Sequence, residues 1–98
     1  MDTDRRMEWR MQFHKALSNP ERLKIVEFLE DGERCQCEIY PEMGLSQSTV
    51  SSYLTQLVRS GILSVRRDGT RKLYKLSDSR IRSMIRDLRS LADEKTSR

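Results

Sequence analysis

One helix near the middle of the chain has clear signals at both of its ends. Ser46 is a residue type favoured at a helix N-cap, and Leu45 and Val50 occupy the two positions of a hydrophobic staple. Gly61 stands where a glycine ends a helix. The apolar stripe of this segment consists of Val50, Leu54, Leu57 and Val58. The sequence therefore predicts a helix over residues 46–60 with one buried and one polar face.

A β-hairpin is predicted directly after this helix, over residues 62–76. Two β-prone runs flank Asp68-Gly69, a dipeptide suited to the tight turn of a hairpin. The stretch from Ser64 to Lys75 contains five basic residues against one acidic residue. The basic residues are Arg66, Arg67, Arg71, Lys72 and Lys75. Such concentrated positive charge favours binding to a polyanion, because binding releases counterions.

The charge of the whole chain is divided in the same way. Residues 1–45 hold seven Lys or Arg against ten Asp or Glu. Residues 46–98 hold twelve against five, a net charge of +7. The basic excess therefore lies in the half that contains the predicted helix and hairpin, which again indicates a polyanionic partner.

Other classes of protein find little support in the sequence. There is one histidine, His14, with no nucleophile–base pairing and no phosphate loop, so we expect no enzyme activity. No apolar run approaches the roughly 18–20 residues that span a bilayer. Cys35 and Cys37 are too few and too close together for a secreted disulfide framework. We therefore expect a cytoplasmic protein that binds no membrane.

The first and last predicted helices have more apolar surface than one small domain can cover. The helix over residues 6–17 is apolar on two faces, one with Met7, Met11 and His14 and the other with Trp9, Phe13 and Leu17. The helix over residues 78–93 has a seam of Ile81, Met84, Ile85, Leu88, Leu91 and Ala92. We expect a homodimer joined through these two helices, with His14 in the interface or the core.

Two polar parts of the C-terminal region are assigned no partner. The arginines of the last helix are interpreted as a solvated face, or alternatively as an extension of a nucleic-acid-binding surface, and they are Arg80, Arg82, Arg86 and Arg89. Residues 94–98 are predicted to form a flexible tail.

Two further helices complete the predicted fold. In the first, either Ser18 and Glu21 form a capping box, or Asn19 is the cap with Pro20 at the first helical position. A short helix follows, bounded or distorted by Pro41. Residues 1–98 are thus predicted to form a single, mainly α domain with a β-hairpin, in the order α-α-α-α-β-β-α. This is the order of a winged helix-turn-helix, in which the hairpin is the wing.

The fold places two groups of residues where they can contact double-stranded DNA. In a helix-turn-helix, the N-terminal residues of the second helix contact bases in the major groove, and small polar side chains allow a close approach. The candidates on this recognition helix are Ser46, Gln47, Ser48, Thr49, Ser51, Ser52 and Tyr53. The candidates on the wing are Arg66, Arg67, Gly69, Thr70, Arg71 and Lys72. The alternative for both groups is a solvated surface.

Four segments resemble the ArsR-type (ArsR/SmtB) winged-helix regulators, and the resemblance spans about residues 10–92. They are Leu17-Ser18-Asn19-Pro20-Glu21-Arg22-Leu23-Lys24-Ile25, Cys35-Gln36-Cys37-Glu38-Ile39, Gly44-Leu45-Ser46-Gln47-Ser48-Thr49-Val50-Ser51 and Arg67-Asp68-Gly69-Thr70-Arg71. The resemblance implies a homodimeric transcriptional regulator that binds operator DNA. It further implies a repressor that an inducer releases.

The chain departs from the family pattern at three places. Tyr53 stands where many members have histidine in the recognition helix, so the operator preference of those members does not carry over. The zinc-sensing pattern of the last helix retains only Asp78, with Arg80 in place of a histidine, and we expect that zinc site to be absent. Pro41 interrupts the segment around the cysteines.

The C-x-C pair of Cys35 and Cys37 is open to three interpretations. The family's arsenic- and antimony-sensing members use this region as a thiolate site, which implies As(III), Sb(III) or another thiophilic metal ion as inducer. As(III) prefers three thiolates, however, and Tyr40 stands where a third cysteine could have been. The pair could instead sense oxidation, or comprise one small buried residue and one incidental thiol. On an α-helix, side chains two residues apart diverge by about 200°, so joint ligation or a disulfide would require the helix to loosen.

A different class of function is also compatible with the predicted fold. A winged-helix domain can act as a protein–protein interaction module, and the basic hairpin would then bind an acidic partner. That interpretation leaves the polar face of residues 47–52 without a role.

Overall fold

The computed structural model describes residues 4–97, which form five helices and three strands. In chain order these are α1 (Arg5–Leu17), α2 (Pro20–Phe28), β1 (Arg34–Cys35), α3 (Gln36–Met43), α4 (Gln47–Arg59), β2 (Leu63–Asp68), β3 (Arg71–Leu76) and α5 (Ser79–Thr96). The strands form one antiparallel sheet in the order β1-β3-β2. The predicted winged helix-turn-helix fold is confirmed, with α4 in place of the helix predicted over residues 46–60 and β2–β3 in place of the hairpin predicted over residues 62–76. No helix in this part of the chain is both long and apolar enough to cross a membrane.

The predicted order of elements lacked the strand β1. This two-residue strand pairs with the wing strand β3, with Arg34 opposite Tyr74 and Cys35 opposite Leu73. A strand this short has no alternation that a local pattern could reveal. The sheet therefore has three strands rather than the two of a simple hairpin.

The predicted tail over residues 94–98 is wrong in residues 94–96, and its last residue, 98, lies outside the described residues. The helix α5 continues to Thr96, whose hydroxyl donates to the carbonyl of Ala92 at 2.8 Å. Glu94 and Lys95 are strong helix formers, so the helix extends past its last apolar residue.

The start of α2 resolves the choice between the two predicted caps. Asn19 is the N-cap, since its side-chain oxygen accepts a hydrogen bond from the backbone N–H of Arg22 at 3.0 Å, and Pro20 is the first helical residue. Of the two effects predicted for Pro41, bounding the segment or distorting it, the first is wrong, because α3 runs through Pro41 to Met43. Pro41 is the sixth residue of that helix, so it removes one intrahelical donor without ending the helix.

The end of α4 has the geometry of a Schellman motif. Gly61 has a left-handed backbone with φ of +83°. The backbone N–H of Gly61 donates to the carbonyl of Val58, and that of Ile62 donates to the carbonyl of Leu57, each at 3.1 Å. The predicted glycine stop is confirmed.

The hydrophobic core lies beneath the inner face of α4, where Val50, Leu54 and Leu57 are fully buried. Residues from the other helices and from the base of the wing complete it, among them Ile25, Val26, Leu29, Ile39, Ile62, Leu63, Tyr74, Leu76, Ile81 and Ile85. Because the core holds the inner face of α4, the opposite face is directed to solvent. His14 is exposed and packs edge-on against Phe13, so it is not a core residue in the single chain.

The arginines of α5 lie mostly on an exposed face, as predicted, but three of them also contact the end of α2. Arg89 donates two hydrogen bonds, at 2.7 and 2.9 Å, to the carboxylate of Glu30, a residue only 8% exposed. Arg82 donates to the Glu30 carbonyl at 2.7 Å, and Arg86 lies 3.7 Å from its carboxylate. The hydrogen bond from Arg89 is the main reason that the pKa of Glu30 lies below its usual value. This cluster fixes α5 to the end of α2.

Large apolar side chains remain exposed on α1 and α5 in the single chain. They are Met7, Trp9, Met11, Met84, Leu88 and Leu91, all between 48% and 62% exposed. They lie on the two helices predicted to form the dimer interface.

Candidate nucleic-acid interface

The exposed face of α4 presents small polar side chains at its N-terminal end. Ser46 is the N-cap, and its hydroxyl accepts the backbone N–H of Thr49 at 3.2 Å and donates to the Thr49 hydroxyl at 2.8 Å. Gln47, Ser48, Ser51 and Ser52 are exposed. Ser46 and Thr49 therefore shape the start of the helix, whereas the other four side chains are accessible to a partner.

Tyr53 differs from the other candidates on α4. Its side chain is half-buried, and the guanidinium of Arg22 lies over its ring at 5.3 Å from the centroid. This cation–π contact connects α4 to the start of α2. Tyr53 thus lies at the edge of the exposed face and partly within the packing.

The wing carries two kinds of cation. Arg66 donates to the Glu33 carboxylate at 3.0 and 2.8 Å, and Arg71 donates to Asp68 at 3.0 Å. Arg67 and Lys72 lie directly opposite each other on β2 and β3. Neither has an acidic partner within 4 Å among residues 4–97. Lys75 of β3 is exposed and also has no acidic partner within 4 Å among residues 4–97. Arg67, Lys72 and Lys75 therefore carry the uncompensated charge of the wing, and Gly69 and Thr70 form its exposed turn.

A groove of about 420 Å³ separates α4 from the wing. Its lining combines the apolar side chains of Val58, Val65 and Tyr74 with basic side chains. The basic lining residues are Arg59, Arg66, Arg67 and Lys72. A groove of this composition can hold a sugar–phosphate strand, whose sugars are less polar than its phosphates.

Three residues of this region were not among the predicted contacts. Thr55 and Arg59 line the groove, and their spacing of four on α4 is the signal that places them on one side of the helix. Glu33 reaches the wing from the segment before β1. No local pattern marks Glu33, because its partner Arg66 is distant in sequence.

The cysteine pair lies at the junction of β1 and α3. Cys35 is buried and forms the N-cap of α3 with an extended backbone, and Cys37 is exposed in the first turn. The structure joins the two sulfur atoms in a disulfide, with the Cα atoms 5.1 Å apart. The expectation that a helix must loosen is wrong, because Cys35 precedes the helix. No group of three or more His, Cys, Asp or Glu side chains is arranged around a common centre in residues 4–97.

Glu38 and Asp78 both serve as local hydrogen-bond acceptors. Glu38 accepts the backbone N–H of Cys35 at 3.0 Å, and this bond is the main reason that its pKa is lowered. Asp78 caps α5 and accepts bonds from the side chain and backbone of Arg80, which lower its pKa to about 2. The Asp78 carboxylate therefore serves as the N-cap of α5.

Comparison with known proteins gives one consistent result. The model of the family described as bacterial regulatory protein, arsR family, matches residues 19–65. A probable mercury resistance operon repressor of Streptomyces lividans is 40% identical over 83% of this chain, and the match covers 65% of that protein's length. An arsenical resistance operon repressor of Staphylococcus aureus is 32% identical over 76% of the chain and 71% of that protein.

Solved structures give the same result for the fold. A homodimeric winged helix-turn-helix DNA-binding domain of Mycobacterium bovis matches with a TM-score of 0.88 and 29% identity, over 99% of this chain and 93% of that one. HlyU of Vibrio cholerae matches with a TM-score of 0.81 and 30% identity, over 91% and 97% of the two chains. The α4–wing arrangement described above is thus shared with a DNA-binding domain.

Proposed function

The chain belongs to the arsR family of bacterial regulatory proteins, and we propose that two copies of it together bind operator DNA and repress transcription until an inducer releases them. The family is one of transcriptional regulators rather than of enzymes. The family match also weighs against the alternative of a protein–protein interaction module, which would leave the polar face of α4 without a role.

The observation that carries the proposal is the position of the wing cations beside α4. Arg67 and Lys72 line the same groove as Thr55 and Arg59 of α4. A strand of DNA in this groove would place its phosphates against the wing while the N-terminal end of α4 enters the adjacent major groove. Gln47 and Ser51 would then read base edges, and the wing would hold the backbone.

The exposed apolar residues of α1 and α5 support the homodimer. Trp9 and Leu88 are 49% and 62% exposed in the single chain. The exposure of such apolar side chains to water is unfavourable, and contact with a second copy would remove it. Two recognition helices related by a two-fold axis would lie in successive major grooves. The operator is then an imperfect palindrome with half-sites about 10–10.5 base pairs apart.

The inducer is proposed to act at Cys35 and Cys37. The exposure of Cys37 makes the pair accessible, and the proximity of the two sulfur atoms suits a thiophilic ion such as As(III) or Sb(III), or oxidation to a disulfide. Two relatives are named for mercury and arsenical resistance. Arsenite, Zn(II) and a mild thiol oxidant, each added to the DNA complex of the reduced protein, distinguish these signals. A response that disappears in Cys35→Ser would identify the pair as the sensor.

Two substitutions test the division between base and phosphate contacts. We expect Arg67→Ala to weaken binding to all duplexes alike and to reduce the salt dependence. We expect Gln47→Ala to change which duplexes are preferred and to leave the salt dependence unchanged. Fluorescence anisotropy with a duplex from the region preceding its own coding sequence, and with a scrambled duplex, measures both. An Arg67→Ala variant with full affinity at every salt concentration would contradict the wing assignment.

A further inference from the structure

The bond between Glu33 and Arg66 is the strongest ion pair of the wing. Nε of Arg66 donates to one carboxylate oxygen of Glu33 at 3.0 Å, and Nη2 donates to the other at 2.8 Å. This bidentate geometry is the strong form of an arginine–carboxylate pair. The hydrogen bond from Arg66 also lowers the pKa of Glu33, so the carboxylate is charged near neutral pH. Glu33 therefore holds one particular edge of the Arg66 guanidinium.

The pair alters the way in which Arg66 can act on DNA. A guanidinium has five N–H donors, and the carboxylate engages one on Nε and one on Nη2, so three remain for another acceptor. The positive charge of Arg66 is nevertheless balanced by Glu33, whereas Arg67 and Lys72 have no such partner in residues 4–97. Arg66 is thus oriented but contributes little to the general attraction of phosphates.

The sheet connects this pair to the cysteines. Cys35 lies opposite Leu73, and Leu73 lies opposite Arg66, so these three residues form one row across β1, β3 and β2 on the same face. With strands about 4.8 Å apart, the backbones of Cys35 and Arg66 are roughly 10 Å apart. Glu33 precedes Cys35 by two residues in the segment that leads into β1. A shift of β1 at the cysteine pair would therefore move Glu33 relative to Arg66.

We propose that Glu33 is a specificity-determining residue of the wing: it masks the charge of Arg66 against indiscriminate phosphate contact, and β1 links this mask to the state of the cysteine pair. The inference rests on the proposed function, since it requires the wing to lie on DNA. A masked Arg66 reduces binding to arbitrary sequences and so favours the operator. A change of state at the cysteine pair moves β1 and with it Glu33, and so changes how far the charge of Arg66 is neutralised.

Glu33→Gln tests directly whether the Glu33 carboxylate neutralises the charge of Arg66. Releasing one cation in each subunit of the dimer should steepen the slope of log affinity against log salt by about 1.8 for duplex DNA. The variant should then lose about 12-fold more affinity than the wild type between about 50 and 200 mM salt. At the lower salt it should bind a scrambled duplex more tightly, and its preference for the duplex preceding its own coding sequence should fall.

Asp31→Asn is the matched control, because it removes the same charge from the same exposed segment at a side chain with no bond to the wing in residues 4–97. Asp31→Asn should change the slope of log affinity against log salt by less than about half of the change expected for Glu33→Gln. A purely structural role for Glu33 predicts instead weaker binding to both duplexes with an unchanged slope. That result would overturn the proposal.

The link to the cysteines is tested without DNA. The Nε–Hε resonance of Arg66, assigned by its loss in Arg66→Lys, is compared between the disulfide form and the form reduced with a water-soluble phosphine. Reduction breaks the S–S bond and adds two electrons and two protons to give two thiols, and the phosphine takes an oxygen atom from water to become its oxide. We expect the resonance to shift in the wild type and the state-dependent shift to vanish in Glu33→Gln.

An unshifted Arg66 resonance in the wild type would overturn the link, whatever the protein does on DNA. A shifted resonance with unchanged DNA affinity would support the link and contradict the inducer role of the cysteines. Failure of the wild type to bind either duplex at any salt would contradict the proposed function, and the resonance would still decide the link. The two proposals can therefore fail separately.

Discussion

Replacing Gly61 by alanine is predicted to disturb both the end of α4 and the exposed apolar surface of α1, which we propose as part of the dimer interface. Gly61 has a φ of +83° in the Schellman turn that ends α4. A methyl group added there would lie 3.1 Å from Nε1 of Trp9 and 3.6 Å from its Cε2. Gly61→Ala therefore strains the backbone and also pushes against the indole of α1.

The two effects can be given separate magnitudes. A left-handed backbone costs an L-residue about 1–2 kcal/mol, and a displaced side chain held off its rotamer costs about 0.5–1.5 kcal/mol. Gly61→Ala should thus lower the free energy of unfolding by about 1.5–3.5 kcal/mol. Gly44→Ala is the matched control, because Gly44 has a φ of +65° with nothing within 4 Å of the added methyl group. Only the backbone cost of about 1–2 kcal/mol applies there.

Urea unfolding followed by circular dichroism measures both variants, at one fixed protein concentration because the stability of the proposed dimer would depend on concentration. The chain has one tryptophan, so the emission of Trp9 reports its displacement in the same experiment. We expect a larger loss of stability and a shifted emission in Gly61→Ala alone. Equal losses in the two variants with unchanged emission would refute the reasoning.

Three further predictions concern the attachment and exposure of α5. Glu30→Gln removes the charge that binds Arg89 and should lower the free energy of unfolding, measured in urea, by about 1.5–3 kcal/mol. Glu27→Gln is the control, because Glu27 accepts a single bond from Arg89. An equal loss of stability in the two variants would contradict this prediction. Leu88→Glu places a charge on a side chain that is 62% exposed in the single chain, so sedimentation should show monomers that remain folded, whereas Ser90→Glu should stay dimeric. The pKa of Asp78 is about 2 against an ordinary value of 3.8, so its contribution to stability is present above the ordinary value and is lost as the pH falls through about 2. Asp78→Asn keeps a capping side chain without this titration, and an acid loss of helicity identical to that of the wild type would contradict the assignment.

The parts of the fold that the sequence predicted are those with local causes. Ser46 caps α4 and Gly61 ends it because the cap and the glycine act on the residues beside them. The Asp68-Gly69 turn forms the wing for the same reason. These signals, taken in order, were sufficient to identify a winged helix-turn-helix.

The parts that were missed depend on contacts between residues far apart in the chain. Strand β1 exists because β3 pairs with it, and a two-residue strand has no pattern of its own. Glu33 and Glu30 acquire their roles from Arg66 and Arg89, which are 33 and 59 residues away. Charge counting placed these arginines on polar surfaces but could not indicate which carboxylate binds them.

The central claim is sequence-specific DNA binding by a dimer, and one titration tests it most directly. The reduced protein is titrated onto a labelled duplex from the region preceding its own coding sequence, and onto a scrambled duplex of equal length, across a range of salt concentrations. We predict binding by two chains per duplex, at least about a thousandfold tighter for the first duplex than for the second, with affinity falling as salt rises. Equal affinity for the two duplexes, or no binding at any salt concentration, would contradict the account.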